Sequence, residues 1–416
     1  MANGLTILLS DGSGLTARQT ATQLAAAGHT VEVLTSDRLA LTRFTRHVAK
    51  LHPVPPYGPD PIAWLDAALT VLARRRFDVL LPTQEQVAVL SRHPWRVIAH
   101  GVGLAVPPFE ALAQVQDKVS AVATLARVDL PQPESFVATT SQELVRFARP
   151  PVFVKTPIGT ATTGVQRVDS PDDLRRVADA LAAAGGFDLG GVVVQRPIEG
   201  PLVMIQAVYA HGRLLAAHTN LREREGANGG ASGKRSVDLP AVRAHLSVLG
   251  EALGWHGALA LDAILTSHGP CYIDVNPRLV EPGNAWRAGV NLVDALLEVS
   301  LSARGEAPPQ PPGQTDVRTH QLLLAVLAAA EHGGRRAVLY ELRAAAQHTG
   351  PYRGSREELT PTSGDWRAGA PVAVAAAATL IRPASWRWFA AGAVANYALT
   401  PKGWQAILEW DTALPR

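Results

Sequence analysis

The 416-residue chain has one cysteine, Cys271, and only two methionines. A single thiol excludes an intrachain disulfide framework and any cysteine-rich metal site. Charge of either sign is scarce: Asp, Glu, Lys and Arg make up 18 % of the residues, and the net charge is +3. No Lys/Arg block could track phosphates along a strand, so a nucleic-acid partner is not expected. APVAVAAAATLI (370–381) is apolar but falls short of the roughly 20 residues that span a bilayer. MANGLTILLS has no basic n-region and runs straight into a strand-like segment, so it is not a signal peptide and a cytoplasmic location is expected. What remains is a folding composition, 47 % apolar, on a chain long enough for two or three domains of about 100–200 residues.

Apolar runs at LTILL (5–9), VEVLTSD (31–37) and FDVLLPT (77–83) alternate with helical segments, which predicts a parallel, doubly wound sheet. Thr16 and Gln19 have capping-box spacing for the first helix, and Gly28 sits at its end. Residues 117–127 read as a helix, and PVFVK (151–155) as a strand opening onto GTATTG (159–164). GVVVQ (191–195), LVMIQAVY (202–209), ALALDAIL (258–265) and CYIDVN (271–276) are further strands. LREREGANGGASGKR (221–235) is polar, Gly-rich and too long for a tight turn, so it reads as a functional loop. EAPPQPPGQ (306–314) reads as a Pro-rich linker and domain boundary. HQLLLAVLAAAEHGG beyond it is helical with a glycine stop.

Asp262, Asp274 and Asn276 lie within apolar strands. Buried carboxylates are costly unless paired or bound to a cation. Two acids and a carboxamide oxygen from neighbouring strands form a hard oxygen site suited to magnesium, or manganese, together with phosphate oxygens. Arg278, two residues on, can grip a phosphate or carboxylate bidentately. The bland alternative is a pair of strand-end acids in surface salt bridges; the complete D-V-N-P-R run speaks against it. Lys155, before Thr160, Thr162, Thr163 and Gly164, offers one fixed charge with hydroxyl and backbone donors, which suits a polyphosphate. It is not a P-loop, and a plain hairpin with a surface lysine remains an even alternative. Glu85, after the strand 77–83, is a candidate substrate contact or merely a helix-start acid.

From about residue 5 to about 303 the order of segments resembles ATP-grasp enzymes, in the branch with biotin carboxylase, carbamoyl-phosphate synthetase and carboxylate–amine ligases. QDKVSAVATLARVDLPQP resembles the helix with a first nucleotide lysine, Lys118; PVFVKTPIGTATTGV resembles the strand with a second, Lys155, and the glycine-rich lid. VVVQRPIEG resembles the hinge that reads adenine, which implies contacts from the Gln195 side chain and the Arg196 and Ile198 backbones, with Glu199 or Gln206 toward the ribose. IDVNPR and LALDAIL resemble the metal strands, which implies Asp274, Asn276 and Asp262 as ligands and Arg278 at the reacting phosphate. LREREGANGGASGKRSV resembles a loop facing phosphates and substrate, with Arg224, Lys234 and Arg235 as candidates. The lid departs from the pattern, carrying Ala161, Thr162 and Thr163 where glycines are usual. There is no biotinyl-lysine motif and no second ATP-grasp half.

The resemblance implies an α/β protein with a Rossmann-like domain (1–105), a two-lobed ATP-grasp domain (106–305, lid about 120–190) and a helical C-terminal region (315–416). It further implies an ATP- and magnesium-dependent ligase that joins small carboxylate and amine substrates through an acyl phosphate. Gly12, Gly14 and Ala17 with Asp37 keep open a rival reading, a nicotinamide oxidoreductase with a G-x-G-x-x-A turn. A catalytically silent nucleotide-binding protein at the membrane surface is another. Five of the nine tryptophans, Trp366, Trp386, Trp388, Trp404 and Trp410, fall in the tail. Residues 370–399 therefore read as a helical hairpin packed on the ligase core or against a second subunit, or else as a pair lying on a membrane.

Overall fold

The computed structural model describes residues 4–160, 164–302 and 308–410. The chain opens with β1 (Thr6–Leu9), α1 (Leu15–Ala26), β2 (Thr30–Thr35), β3 (Lys50–Pro53), α2 (Pro61–Arg74), β4 (Val79–Leu81), α3 (Val87–Arg92) and α4 (Pro94–Ile98). The four strands form a parallel sheet in the order β3-β2-β1-β4. Ile7, Leu8, Leu9, Val33, Leu80 and Leu81 are buried, as continuous apolar strands covered on both faces must be. The carboxyl ends of β1 and β4 are stitched together: Thr83 N donates to Ser10 Oγ (3.0 Å) and Asp11 N to Thr83 Oγ1 (3.2 Å).

A second unit follows: α5 (Phe109–Gln116), α6 (Lys118–Arg127), β5 (Ser135–Ala138), α7 (Ser141–Phe147), β6 (Val152–Lys155), β7 (Val165–Val168), α8 (Pro171–Ala183) and β8 (Val192–Gln195). Its strands make an antiparallel sheet, β5-β8-β6-β7, with its own core of Leu144, Val152, Val154, Leu174, Val192 and Val194.

The largest sheet has seven strands in the order β13-β12-β9-β10-β11-β14-β15. It is built from β9 (Leu202–Ala210), β10 (Arg213–Glu225), β11 (Ala231–Ser236), α9 (Pro240–Leu253), β12 (Gly257–Thr266), β13 (Gly269–Asn276), α10 (Gly283–Arg287), α11 (Leu292–Leu301), β14 (Arg318–His320), α12 (Leu322–Ala346) and β15 (Arg356–Glu357). Directly paired residues of neighbouring strands share a face. One face carries Val203, Ile205, Ala207, Tyr209, Leu259, Leu261 and Val275, packed with Val242, Leu246 and Leu249 of α9. The other is apolar where Val208, Ala216 and Ala258 meet α11. It then turns polar in two rows, Asn276–Ala260–Gln206–His218 and Asp274–Asp262–Met204–Asn220–Ser236.

Two expectations are corrected and a third holds. Residues 221–235 are not a free loop but the two arms of a hairpin, β10 and β11, turning at Ala227–Gly229, where Asn228 and Gly229 take positive φ. Its polar composition hid the strands, because partners from elsewhere in the chain, Glu341 for Arg224 and Glu281 and Glu358 for Lys234, hold it beside the ion pairs it makes within itself. The Pro-rich stretch does not begin a separate unit: β14 pairs with β11 of the same sheet, and Gln310 N donates to Leu215 O (2.6 Å). The glycine stop holds: Gly334, at φ 62° and ψ −154°, breaks the helical run that begins at Leu322, and a second helical stretch, counted with it as α12, continues to Ala346.

Beyond β15 come α13 (Ala370–Ile381), α14 (Trp386–Tyr397) and α15 (Pro401–Glu409). Val326, Ala330, Val338, Ala375 and Ala376 form small cores between α12 and α13, with Trp386 and Phe389 of α14 against them. Among the described residues no helix is long and apolar enough to cross a membrane.

Candidate active site

The polar rows of the large sheet face the antiparallel sheet across a cleft. Lys118, Lys155, Gln132, Val193, Gln195, Ile273 and Asp274 line one recess in it. Lys118 follows Asp117, whose side chain caps α6 by accepting from Ser120 N. That fixes the lysine stem, so its ammonium donates to Gly159 O (2.9 Å) and lies 3.8 Å from Asp274 Oδ1. Lys155 ends β6, is 6 % exposed, and donates to Ile273 O (2.7 Å). Burial pulls its pKa below the usual lysine value, opposed by Asp274 and Asp262. A buried ammonium with one carbonyl acceptor keeps two N–H donors for a phosphate. Gln195 is buried at the end of β8 and donates to Ser135 Oγ (3.2 Å). Arg196 N is taken by Glu134 O (2.9 Å) and its guanidinium lies in the open beside Glu134. Ile198 is half-buried and Glu199 exposed.

Asp262 and Asp274 are direct cross-strand partners, and Asn276 lies one pair further along the same face. Burial, then the neighbouring Asp274 charge, pushes the Asp262 carboxyl up to about 7, with Arg278 and Lys155 opposing. Two acids held side by side at that cost are what a divalent cation would relieve. Among the described residues no three His, Cys, Asp or Glu side chains gather as a metal site. Two carboxylates and an amide oxygen still fit magnesium, which fills its shell with phosphate oxygens and water.

Arg278 is buried and its Nε donates to Glu85 Oε1 (3.0 Å). Glu85 also accepts from Gln116 Nε2 (3.3 Å) and Thr160 Oγ1 (3.4 Å). One carboxylate thus joins the parallel sheet, the lid and the metal strand. Gly164, at φ 79°, lies where a Cβ would meet Thr156 Oγ1 at 2.1 Å, so only glycine fits this turn. Thr162 and Thr163 lie outside the described residues.

The hairpin candidates divide. Lys234 points into the cleft and is fully buried between Glu281 Oε2 (2.5 Å) and Glu358 Oε1 (2.6 Å). Gln321 Nε2 donates to both acids. The two carboxylates outweigh the burial and hold the Lys234 pKa above its usual value. Arg235, next along β11, projects to the other side and pairs with Glu223 (2.7 Å) and Asp316 (2.8 Å) at the surface. The alternation of a strand removes it from the site. Arg224 is likewise drawn away, by Glu341 of α12 (2.8 Å). Gln206 donates to Glu281 O (3.4 Å) and accepts from Val280 N (3.4 Å), so it holds a loop rather than pointing to a ribose.

Sequence reasoning missed Glu281, Glu358, Gln321 and Tyr397. Glu281 has φ 54°, a left-handed conformation unusual for such a residue and frequent at functional sites. Thr16 and Gln19, read from spacing as a capping box, hold this loop instead: Glu281 N donates to Thr16 Oγ1 (3.1 Å) and Gly283 N to Gln19 Oε1 (2.7 Å). The helix start falls to Gly14, with no side-chain cap. The run LVEPG after Asn276 was the one available signal, since an acid before Pro-Gly marks a turn at a strand end.

The G-x-G turn is packed from within. A Cβ on Gly12 would meet Thr42 Oγ1 at 2.6 Å, and one on Gly14 would meet Gln84 Nε2 at 2.1 Å. The chain's own side chains occupy the space a dinucleotide would need, which counts against the oxidoreductase reading.

Residues 115–282 match the family model of an ATP-grasp domain. The chain therefore carries an ATP-grasp domain, and its fold as a whole is that of ATP-grasp proteins. Carboxyaminoimidazole ribonucleotide synthase from Aspergillus clavatus, solved with ATP, is similar at TM-score 0.61 and 14 % identity, covering 91 % of this chain and 100 % of that one. The biotin carboxylase domain of Hydrogenobacter thermophilus 2-oxoglutarate carboxylase, solved with MgADP and bicarbonate, is similar at 0.60 and 14 %, covering 76 % and 74 %. L-amino acid ligase from Bacillus licheniformis is similar at 0.56 and 17 %, covering 74 % and 78 %. Comparison with curated protein sequences gives no match.

Proposed function

We propose that the protein is an ATP- and magnesium-dependent ligase that joins a small carboxylate to an amine through an acyl phosphate. The observation that carries this reading is the convergence of Lys118, Lys155 and Gln195 on Asp274, with Asp262 beside it. A fixed pair of cations next to a pair of acids suits a polyphosphate with its counter-ion. Two of the structural neighbours named above, solved with ATP and with MgADP, point the same way.

Lys155 and Lys118 orient the phosphates, while Gln195 and the backbone of Arg196 and Ile198 bound the adenine end. Asp262, Asp274 and Asn276 would hold magnesium, which offsets charge on the transferring phosphoryl group. A substrate carboxylate oxygen attacks the γ-phosphorus, the bond to the β-phosphate oxygen breaks, and ADP leaves. The amine then adds to the acyl carbon, phosphate departs, and Glu281 is placed to accept the proton the nitrogen loses. Arg278, held by Glu85, faces the anionic intermediate.

Screening pairs of carboxylic acids and amines, amino acids included, for magnesium-dependent ADP release tests the reading. ADP formed only when both partners are present supports it; failure of every pair, with no ATP binding by calorimetry, rejects it. Contact of 370–399 with a membrane surface or a second copy is a separate proposal, motivated by Trp388 and Ile381, which stay 67 % and 76 % exposed.

A further inference from the structure

A pocket of about 30 Å³ opens on the side of the large sheet that carries α9, away from the cleft. Thr219 of β10 lines it; paired with Ile205, this residue belongs to the sheet face that packs with α9. Val242 and Leu246 of α9 supply an apolar wall. The opposite wall is a strap, residues 310–314, pinned at both ends. Gln310 N donates to Leu215 O (2.6 Å) and Gln314 N to Ala288 O (2.7 Å). A Cβ on Gly313 would meet Val290 Cγ2 at 2.8 Å, so the strap lies as close as glycine allows. Pro312, between the pins, has no N–H with which to close the gap to α9.

Two opposite charges line this pocket and do not pair. Arg243 is half-buried in the first turn of α9, and its guanidinium has no hydrogen bond or ion pair among the described residues. Asp238, two residues before that helix, is exposed and equally unpaired among them. Arg167 and Asp169, at the end of β7, show how such near neighbours usually settle, closing to 2.8 Å. Thr219 is 8 % exposed, and its hydroxyl is also without a partner among the described residues. α9 begins with Pro240 and has no side-chain cap, so its first turn adds a partial positive charge. His218, beside Thr219 in sequence, turns to the cleft and bonds Asn284 Oδ1 (2.8 Å).

One guanidinium and one carboxylate cancel. A lone anion would lie beside Asp238, and a lone cation beside Arg243. A molecule with both charges on neighbouring atoms satisfies both and leaves the apolar wall for a short side chain. A water needs roughly 10–15 Å³, so the pocket seats a carboxylate inside while the ammonium stays at the rim with Asp238. We propose that this pocket is a second ligand site that takes a small free α-amino acid. Its carboxylate is held by Arg243, Thr219 and the start of α9, and its ammonium by Asp238. Pocket and cleft lie on opposite faces of the sheet, so both can be filled at once, and the site stands whether or not the cleft carries out ligation.

Calorimetry of the full chain provides the test. The probes are glycine, L-alanine and L-serine, each beside its N-acetyl and its amide derivative, with inorganic phosphate as a plain anion. At least one free amino acid should bind, and both of its blocked derivatives should fail. Arg243→Gln and Asp238→Asn should each weaken it about tenfold, the loss of one charge-assisted hydrogen bond, and saturating MgADP should leave its affinity unchanged. Both side chains reach solvent, so the variants should fold; thermal melts confirm it. The assignment is wrong if no free amino acid binds, if blocked derivatives bind equally, or if phosphate alone binds through Arg243. An amino acid whose binding ignores both substitutions belongs to the cleft, which rejects the pocket and leaves the ligase reading standing. Binding that needs Arg243 and Asp238, in a chain that neither binds ATP nor releases ADP, keeps the pocket and rejects the ligase reading.

Discussion

The two ends of the cleft are built differently. At the nucleotide end, Lys118, Lys155, Gln195, Asp262, Asp274 and Asn276 come from one unit of fewer than half the residues, and each sits on a strand or at a helix start. At the other end, Lys234 depends on Glu281 and on Glu358, a partner 124 positions away, while Tyr397 and Asp11 arrive from opposite ends of the chain. The first end is local chemistry carried on strands. The second exists only once the whole chain has closed, so ligand choice there is coupled to the integrity of the fold.

Breaking the nucleotide end should have the largest effect on function. Lys155→Ala removes a buried charge that no neighbour replaces, and ATP affinity should fall roughly 100-fold or more, about 2.8 kcal/mol. Asp274→Asn and Asn276→Ala should abolish ADP release while thermal melts stay near wild type, since the proposed role of both is to hold a cation beside the phosphates. Unchanged ATP affinity in Lys155→Ala, or a wild-type rate for either other variant at saturating magnesium, would move the site elsewhere.

The acceptor end should respond in stability as well. Lys234→Met leaves Glu281 and Glu358 buried without their cation, and unpairing buried charges typically costs about 3–5 kcal/mol. Adding Glu358→Gln removes one of the stranded charges and should recover much of that loss in a urea melt, yet turnover should stay low. Recovery of both together would make Lys234 a packing element only.

The same contrast decides what could be read from the residues alone. Strand ends that carry chemistry next to apolar runs, as in FVK and YIDVN, are visible because period and polarity change at one point. The parallel sheet of the first domain was legible for the same reason. Lys234 and Arg235 could not be told apart, because which side of a strand a residue faces depends on a register that a polar hairpin does not display. Glu358 sits in SREELTP, where nothing periodic marks it, and its role is set by Lys234 across the sheet. Thr16 and Gln19 had the spacing of a local cap, but tertiary donors at Glu281 and Gly283 claimed their oxygens.

A smaller effect lies between the two ends. His218 is buried in the polar row, bonded to Asn284 Oδ1 (2.8 Å), and burial pulls its pKa down to about 4. Below pH 6.5 the unfolded chain binds a proton that the folded one refuses. The stability contribution is therefore full above about pH 6.5 and is lost as pH falls toward 4, by up to about 3 kcal/mol from the size of the shift. His218→Gln keeps a polar contact to Asn284 and does not titrate. Urea melts at pH 7.5 and 5 should show a smaller acid loss in the variant, and equal losses would place the acid sensitivity elsewhere.

The smallest effect is expected on the outer side of the tail. The inner side of α13 and α14 is committed to α12 and to the first domain, whereas Trp388, Ile381 and Val374 remain exposed. Surface side chains rarely move stability by more than about 0.5 kcal/mol, and the Trp388 ring rests edge-on against the neighbouring Phe389 (4.8 Å between ring centres), so Trp388→Ala with Ile381→Ser should leave melts and ADP release nearly unchanged. A Trp-bearing apolar face flanked by Arg382 and Arg387 nonetheless suits headgroups, where guanidiniums reach phosphates while the rings lie at the acyl boundary. Flotation with vesicles containing anionic lipid should therefore lift the wild-type chain and not the double variant, and raised salt should weaken the effect. If the wild type stays at the bottom but sediments as a dimer that the variant loses, a second copy covers this face. If neither changes, the face is plain surface, and the tail serves the cleft alone.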